Sequence, residues 1–571
     1  MKRITLPLKE EDILSLHAGE AVLLSGTLYT ARDAAHKKMH EMLLRGEPLP
    51  FDLAGNVIYY VGPTPARPGQ VIGSAGPTTA SRMDVYTPEL LDRGLKGMLG
   101  KGRRSKEVRD AIIRNKAVYF IACGGAGALI SHSVKKREMV AFEELLSEAV
   151  TKLTIENLPC FVGMDCYGND IYMKREKKIS NLYEEALALH EKYHGKLKVE
   201  SKVPCADAHD LSIAYTPGVA EPCREIAKDP EKSYVYTNRG NTVAVITDGT
   251  AVLGLGDIGP EAAMPVMEGK ALLMKQFAGL DAWPICLDTK DPKEIISICK
   301  ALAPGFGAIN LEDISAPRCV EIERTLIEEL NIPVFHDDQH GTAIVVLAAL
   351  INALKLKQAK PEDMKVVISG TGAAGSSIIR MLYNYGFKKI YAFDIDGCLN
   401  KKDADSYNDL KKELLNYVNL DNQNYATLAD GMKGADIFVG VSAPRLVTKE
   451  MIQSMNPGCI VFPMANPEPE ISYADAKEAG AWIIGTGRSD YPNQVNNLLA
   501  FPGIFRGALD AKATKITEGM KIAASKAIAS LIDEKDLARD HIIVSVFDER
   551  VVPAVAKAVA LEAEKSGVVR K

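Results

Sequence analysis

The stretch that most narrows what this chain can fold into runs from Lys365 to Asp394. The run Lys365-Val366-Val367-Ile368-Ser369 has strand character and leads into Gly370-Thr371-Gly372-Ala373-Ala374-Gly375. An apolar helical pattern extends from there to about Tyr385, and a second strand-like run, Lys389 to Phe393, ends on Asp394. Asp394 lies 19 residues after Gly375, the spacing at which a βαβ unit brings a carboxylate to the ribose of a dinucleotide. Gly370, Gly372 and Gly375 permit the tight turn and the close approach of a pyrophosphate, whose charge meets the helix N-terminus. The expected fold class is therefore α/β, with a Rossmann nucleotide-binding domain. Asp394 accepts from a ribose 2'-hydroxyl and repels a 2'-phosphate, and Asp396 adds a second acid, so NAD is the expected dinucleotide. Later strands end in Ser442-Ala443-Pro444 and Ala465-Asn466-Pro467, and Asn496-Asn497 precede Phe501. Asn466 and Asn497 thus offer amides on the ligand side of the sheet, for a substrate carboxylate or the nicotinamide carboxamide.

A formal GxGxxG also occurs at Gly254, Gly256 and Gly259, but the next strand carries Asp281 at its wrong end, so this copy is not read as a nucleotide site. Two acidic pairs further along the chain point to metal chemistry. Asp337 and Asp338 follow the extended run Ile332 to Phe335, and Gly341-Thr342 open an apolar helix reaching Leu354. A second pair, Glu312-Asp313, ends the strand-like run Ala308 to Leu311. Carboxylates at the carboxyl ends of strands sit where open α/β sheets bind ligands. Three or four such oxygens can converge on one hard divalent cation, Mg²⁺ or Mn²⁺; solvated loop acids are the alternative. Lys270 interrupts an otherwise apolar helical face. It either snorkels or, if buried beside a metal, has its pKa lowered by desolvation and by the cation until it can act as a base. Tyr215 precedes a Thr-Pro-Gly turn, the usual place of a core anchor.

At 571 residues the chain is too long for one core. Sixty-nine basic against 74 acidic residues, with no basic block, argue against nucleic acid as a partner. Lys9-Glu10-Glu11-Asp12 leaves no apolar signal segment, and no uninterrupted run approaches the roughly 20 apolar residues of a membrane span. A cytoplasmic homo-oligomer with no membrane partner is expected. Ten cysteines are scattered without a CxxC pair, which favours reduced thiols over disulfides, zinc or an iron-sulfur cluster in this chain.

The first part of the chain reads as a separate α/β unit, with strands at Ala21 to Leu24, Val57 to Val61 and Ala117 to Ile121 and helices near 31 to 45, 87 to 99 and 134 to 152. Arg32, the hydroxyl-rich turn from Gly76 to Arg82, and Lys101 are suited to holding both ends of a small dicarboxylate. The stretches Ser25 to His36, Tyr59 to Pro65 and Gly76-Pro77-Thr78-Thr79 resemble the C-terminal (β-subunit) domain of iron-sulfur class I fumarases and tartrate dehydratases, over residues 1–178. That resemblance implies substrate binding by Arg32, Arg82 and Lys101 and proton transfer involving Thr78. It also implies a separate iron-sulfur α-subunit as partner, because the cluster-binding domain of that family is absent. The charged stretch Lys174 to Lys178 reads as a boundary, followed by an amphipathic helix from Leu182 to Tyr193.

From about residue 181 to 566 the chain is similar to short bacterial malic enzymes. The matching segments are Ala-Tyr-Thr-Pro-Gly-Val-Ala at 214–220, Met-Glu-Gly-Lys at 267–270, Leu-Glu-Asp-Ile at 311–314, His-Asp-Asp-Gln-His-Gly-Thr at 336–342 and Ala-Asn-Pro at 465–467. The resemblance implies a metal and substrate domain at 179–341 and an NAD-binding domain with C-terminal helices at 342–571. It implies Glu312, Asp313 and Asp338 as metal ligands, Lys270 as the base assisted by Asp337, and Tyr215 as the acid. Ala251 stands where long eukaryotic forms carry a malate-binding arginine, so Asn466 and Asn497 are the expected contacts to the second carboxylate. The implied reaction is oxidative decarboxylation of L-malate to pyruvate with NAD. The rival readings are a malolactic enzyme and an N-terminal unit that serves only as a docking module.

Overall fold

The computed structural model describes residues 1–66, 69–122, 127–252 and 254–570, without the side chains of 128, 129 and 174–181. Cys123, one of the ten cysteines, Leu253 of the glycine-rich segment and the side chains of the Lys174 to Lys178 stretch lie outside this description. The chain divides into two compact units, Met1–Lys192 and Tyr193–Lys571. One helix, Ile171–Tyr193, covers both the charged stretch read as a boundary and the amphipathic segment after it.

The first unit is a seven-stranded sheet with helices. Strand Val150–Met164 is long enough to pair antiparallel with both Ala21–Thr30 and Val118–Ile121, which closes five strands into a ring. The helix expected near 31 to 45 is Asp33–Leu44. The helix expected over 87 to 99 stops at Asp92, and Gly97–Gly100 is a strand. The helix expected over 134 to 152 is absent: Val134–Ala141 is a strand at the end of the sheet, paired with Val150–Met164. Its Lys, Arg and Glu are good helix formers, but ladder pairing with a long neighbour outweighs a propensity of tenths of a kcal/mol per residue.

The second unit holds two parallel-type sheets. The first runs Val334–His336, Ala308–Leu311, Thr242–Thr247, Asp281–Cys286 in spatial order. The second runs Gly397–Cys398, Lys389–Asp394, Lys365–Ser369, Ile437–Gly440, Ile460–Pro463, Ile483–Ile484, with its order reversing at Lys365–Ser369 as in a doubly wound fold. Joining them is helix Asp337–Lys357, apolar on every side and buried along nearly its whole length. By length and composition it is the one helix among the described residues able to cross a bilayer, yet it forms the centre of this unit's core. Buried Asn352 donates from Nδ2 to the carbonyls of Ala529 (2.9 Å) and Ile542 (3.0 Å) and so ties the helix to the C-terminal segment, while its Oδ1 has no hydrogen-bond partner among the described residues. Asp337 and Asp338 occupy its first turn and Lys355 and Lys357 its last, which matches the helix dipole at both ends.

Candidate active site

Two strand ends bring the acids together. Leu311 pairs with His336 across neighbouring parallel strands, so the residues that follow each leave the sheet at the same edge. Glu312, Asp313 and Asp338 then present carboxylate oxygens within 4.8 Å of one another. The Asp313 N–H donates to Asp338 Oδ2 (2.8 Å), and Asn310, two residues back on the same strand face, donates to Glu312 Oε2 (2.8 Å). Asp313 adopts φ 53°, a left-handed conformation that aspartate tolerates better than most residues.

Lys270 is buried in helix Pro260–Ala278 and reaches Asp337 Oδ2 at 2.6 Å and Glu312 Oε1 at 2.8 Å. Asn497 Nδ2 donates to the same Asp337 oxygen at 2.6 Å. Gly341 is required here, because a Cβ would fall 2.0 Å from Asp337 Oδ1. The sequence ties a lowered Lys270 pKa to burial beside a metal; among the protein's own groups the balance is different. Burial does act to lower the Lys270 ammonium, but Asp337, Glu312 and Asp338 outweigh it and hold the group above its ordinary value.

The same crowding decides whether the acids suit a cation. Burial, then Asp338 and Glu312, pushes Asp313 up to about 8. Burial lifts Asp337 to about 6 against the pull of Lys270, and Glu312 is likewise raised by burial. Asp313 Oδ2 and Asp337 Oδ1 are buried without a hydrogen-bond partner among the described residues. A set of oxygen donors short of positive charge, with an orphaned carboxylate oxygen inside it, fits a hard divalent cation.

In the nucleotide domain Gly370, Gly372 and Gly375 lead into helix Ala373–Tyr385. A Cβ at Gly375 would fall 2.0 Å from the Gly370 carbonyl, the close strand-to-helix packing the motif anticipates. Asp394 ends its strand as expected, but it is not alone. Thr371 Oγ1 donates to it at 2.5 Å, and Lys411 Nζ lies 2.9 Å from Asp394 and 3.6 Å from Asp396. Lys411 was not anticipated; it lies 17 residues beyond Asp394, where no spacing rule reaches. Asn466 sits in a loop tied down by buried Glu470, which accepts from the N–H groups of Ala465 (3.1 Å) and Ser442 (2.9 Å). A Cβ at Gly254 would lie 3.3 Å from Pro467, so the glycine-rich segment of the metal domain packs against the Asn466-Pro467 loop.

Tyr215 is the expected site residue that the structure leaves apart. It follows the short helix Ala208–Ala214, is 67% exposed, and its hydroxyl has no hydrogen bond among the described residues.

Within the first unit Arg32 lies 3.3 Å from Glu148 and 3.6 Å from Asp33, and Arg82 lies 3.9 Å from the same Asp33 oxygen. The Lys101 N–H donates to the Thr78 carbonyl (3.2 Å), and Arg82 lies on the turn Ala80–Met83 just after Thr78. The four expected residues thus share one neighbourhood. Beneath it, Arg104 is buried against Asp84 (2.8 Å) and Thr87 (2.9 Å), a pairing the sequence did not single out. Buried His36, held neutral by a pKa pushed down to about 4 through burial, donates from Nδ1 to the Arg32 carbonyl at 2.9 Å.

A dinucleotide-type domain facing a strand-end cluster of acids and a buried lysine defines an α/β oxidoreductase. Residues 194–327 match the family model described as malic enzyme, N-terminal domain, and residues 339–565 that described as malic enzyme, NAD binding domain. Residues 1–175 match fumarase C-terminus. The chain belongs to the malic enzyme family and carries a fumarase C-terminal domain ahead of the malic enzyme domains. It is 57% identical to the bifunctional malic/malolactic enzyme of Bacillus subtilis, over 68% of this chain and 95% of that protein. It is 54% identical to the NAD-dependent malic enzyme of Geobacillus stearothermophilus, over 70% and 82%. The crystal structure of malic enzyme from Pyrococcus horikoshii superposes with a TM-score of 0.65 at 46% identity, covering 68% of this chain and 92% of that one.

Proposed function

We propose that the second unit converts L-malate to pyruvate and CO2 with NAD and Mg²⁺ or Mn²⁺. The observation that carries this reading is Lys270, buried and hydrogen-bonded to Asp337, directly beside the acids at 312, 313 and 338. Glu312, Asp313 and Asp338 would hold the cation, and Gly370, Gly372, Gly375 and Asp394 the dinucleotide. When bound, the cation draws on the charge of those acids and of the substrate oxygens, and NAD accepts the hydride leaving C2. With the acids so engaged, burial governs Lys270 and lowers it toward a base that takes the C2 hydroxyl proton. Asp337 orients the ammonium that results, and Asn497 orients Asp337. Asn466 is assigned to the second carboxylate or the nicotinamide amide. Tyr215 is assigned the return of a proton to C3; this rests on its match to the family segment alone. The purified protein, given L-malate, Mn²⁺ and NAD, is expected to yield NADH and pyruvate. Lactate without net NADH would establish the malolactic reading; the B. subtilis relative is named for both activities.

Lys411 bears on the choice of dinucleotide. Asp394 and Asp396 favour NAD, while a lysine beside them supplies the charge that a 2'-phosphate needs. Lys411→Ala is expected to raise the KM for NADP about tenfold or more, the worth of one charge-assisted hydrogen bond, and to change the KM for NAD far less. Equal effects on both would remove Lys411 from the ribose site.

For the first unit the proposal is one half of a fumarate hydratase, completed by a separate iron-sulfur α-subunit. The shared neighbourhood of Arg32, Arg82, Thr78 and Lys101 supports dicarboxylate binding. Anaerobic mixing with a cluster-bearing α-subunit should give fumarate hydration. Arg82→Ala should remove that hydration and leave malate oxidation intact. No association and no hydratase activity would leave the docking-module reading in its place.

A further inference from the structure

Behind the acids lies a second buried polar chain that the reaction as described does not use. Glu323, on helix Arg318–Glu329, accepts the His336 N–H with Oε1 (2.7 Å), and its Oε2 lies 2.9 Å from His340 Nε2. One carboxylate thus grips the chain on both sides of Asp337 and Asp338. A carboxylate only accepts, so Nε2 carries the ring proton and Nδ1 is the acceptor. Nδ1 is met at 2.7 Å by the hydroxyl of Ser377. Ser377 belongs to helix Ala373–Tyr385, two residues past Gly375, on the helix whose N-terminus is read as the pyrophosphate site. Lys521 Nζ lies 3.1 and 3.3 Å from the two ring nitrogens and 2.7 Å from Glu518, closing the group from helix Glu518–Ala529. Glu323, His340, Ser377 and Lys521 are all buried.

Buried polar groups cost free energy unless fully paired, and an apolar filler would serve packing alone at least as well. What this chain adds is direction. It runs from the turn bearing Asp337 and Asp338 to the helix bearing the dinucleotide motif, through hydrogen bonds of fixed length. We infer that Glu323, His340 and Ser377 form a strut that sets the distance between the acids that would hold the cation, with Asp337 and Lys270 beside them, and the helix that would hold the dinucleotide, and so the separation across which hydride passes. They are positioning residues and touch neither substrate nor cofactor. The inference rests on the malic enzyme reading. A displacement near 1 Å at a reacting centre costs on the order of 100-fold, so a small change in the strut should be visible.

Ser377→Ala removes only the last link and carries little risk to folding. Malate oxidation should fall about 10- to 100-fold in kcat, with the KM values for malate and NAD within about twofold, as expected when only the transition state is affected. The deuterium isotope effect with malate labelled at C2 should rise, because hydride transfer becomes the slower step. Decarboxylation of added oxaloacetate, which moves no hydride, should stay near the wild-type rate, and Ser377→Thr, which keeps the hydroxyl, should restore oxidation. An unchanged isotope effect, or a parallel loss of oxidation and oxaloacetate decarboxylation, would overturn the strut. Wild-type protein that fails to oxidise malate would instead overturn the reading on which it stands.

Discussion

Lys270→Ala should lower malate oxidation by about 10²- to 10⁴-fold, the contribution of one positioned base. The same substitution leaves Asp337 and Glu312 buried without their cation, so a stability loss of about 3–5 kcal/mol accompanies it. Chemistry and folding separate by rescue. Methylamine added to the folded variant should recover part of the rate, increasing with amine concentration and with pH as more free base is present. An amine cannot repair misfolding, so recovery identifies the missing group as a proton acceptor. A variant retaining more than about a tenth of the wild-type rate would show that Lys270 is not the general base.

Asp338→Asn should act on cation binding before it acts on turnover. Loss of a direct ligand is expected to raise the Mn²⁺ concentration for half activation at least 100-fold, since even outer-shell partners are worth about 10–100-fold. A readout independent of activity follows from linkage: a ligand that binds only the folded state raises the melting temperature. Mn²⁺ should raise the Tm of the wild-type protein and have little effect on the variant. In the absence of cation the variant should melt higher than wild type, because it removes one like charge from the group in which Asp313 is pushed up to about 8. Equal Mn²⁺-induced shifts in both proteins would remove Asp338 from the ligand set.

Much of this arrangement was legible because local rules apply at short range. The glycines from 370 to 375 and Asp394 belong to one βαβ unit, where spacing alone decides geometry. Glu312-Asp313 and Asp337-Asp338 were readable as strand-end pairs, and the pairing of neighbouring parallel strands brings them to one edge. Lys411, Glu323 and Ser377 were not legible in that way. Each acts through a partner in a different part of the chain, and nothing in a lysine near a stretch of lysines, or a glutamate on an amphipathic helix, marks what it meets. For Lys270 the sequence announced burial, and the three carboxylates that by themselves hold its ammonium charged became countable only after folding. In the first unit Val134–Ala141 reads as helix by composition and is a strand by pairing, since a ladder partner is a tertiary fact.

That strand has a consequence for how the first unit behaves in solution. The open ends of its sheet are Lys2–Thr5 and Val134–Ala141, and both carry basic side chains, Lys2 and Arg3 on one and Lys135, Lys136 and Arg137 on the other. Unpaired strand edges are templates for adding another strand, and a row of like charge blocks that route. Glu138 pairs with Lys136 and Glu156 lies 3.9 Å from Lys135, so the second edge keeps a net positive charge of reduced size, and two such edges repel as they approach. The repulsion fades as the screening length falls from about 10 Å at 0.1 M salt to about 3 Å at 1 M, so colloidal stability of this unit is tied to ionic strength: dilute buffer keeps it dispersed, and concentrated salt exposes whatever tendency its two edges have to zip together.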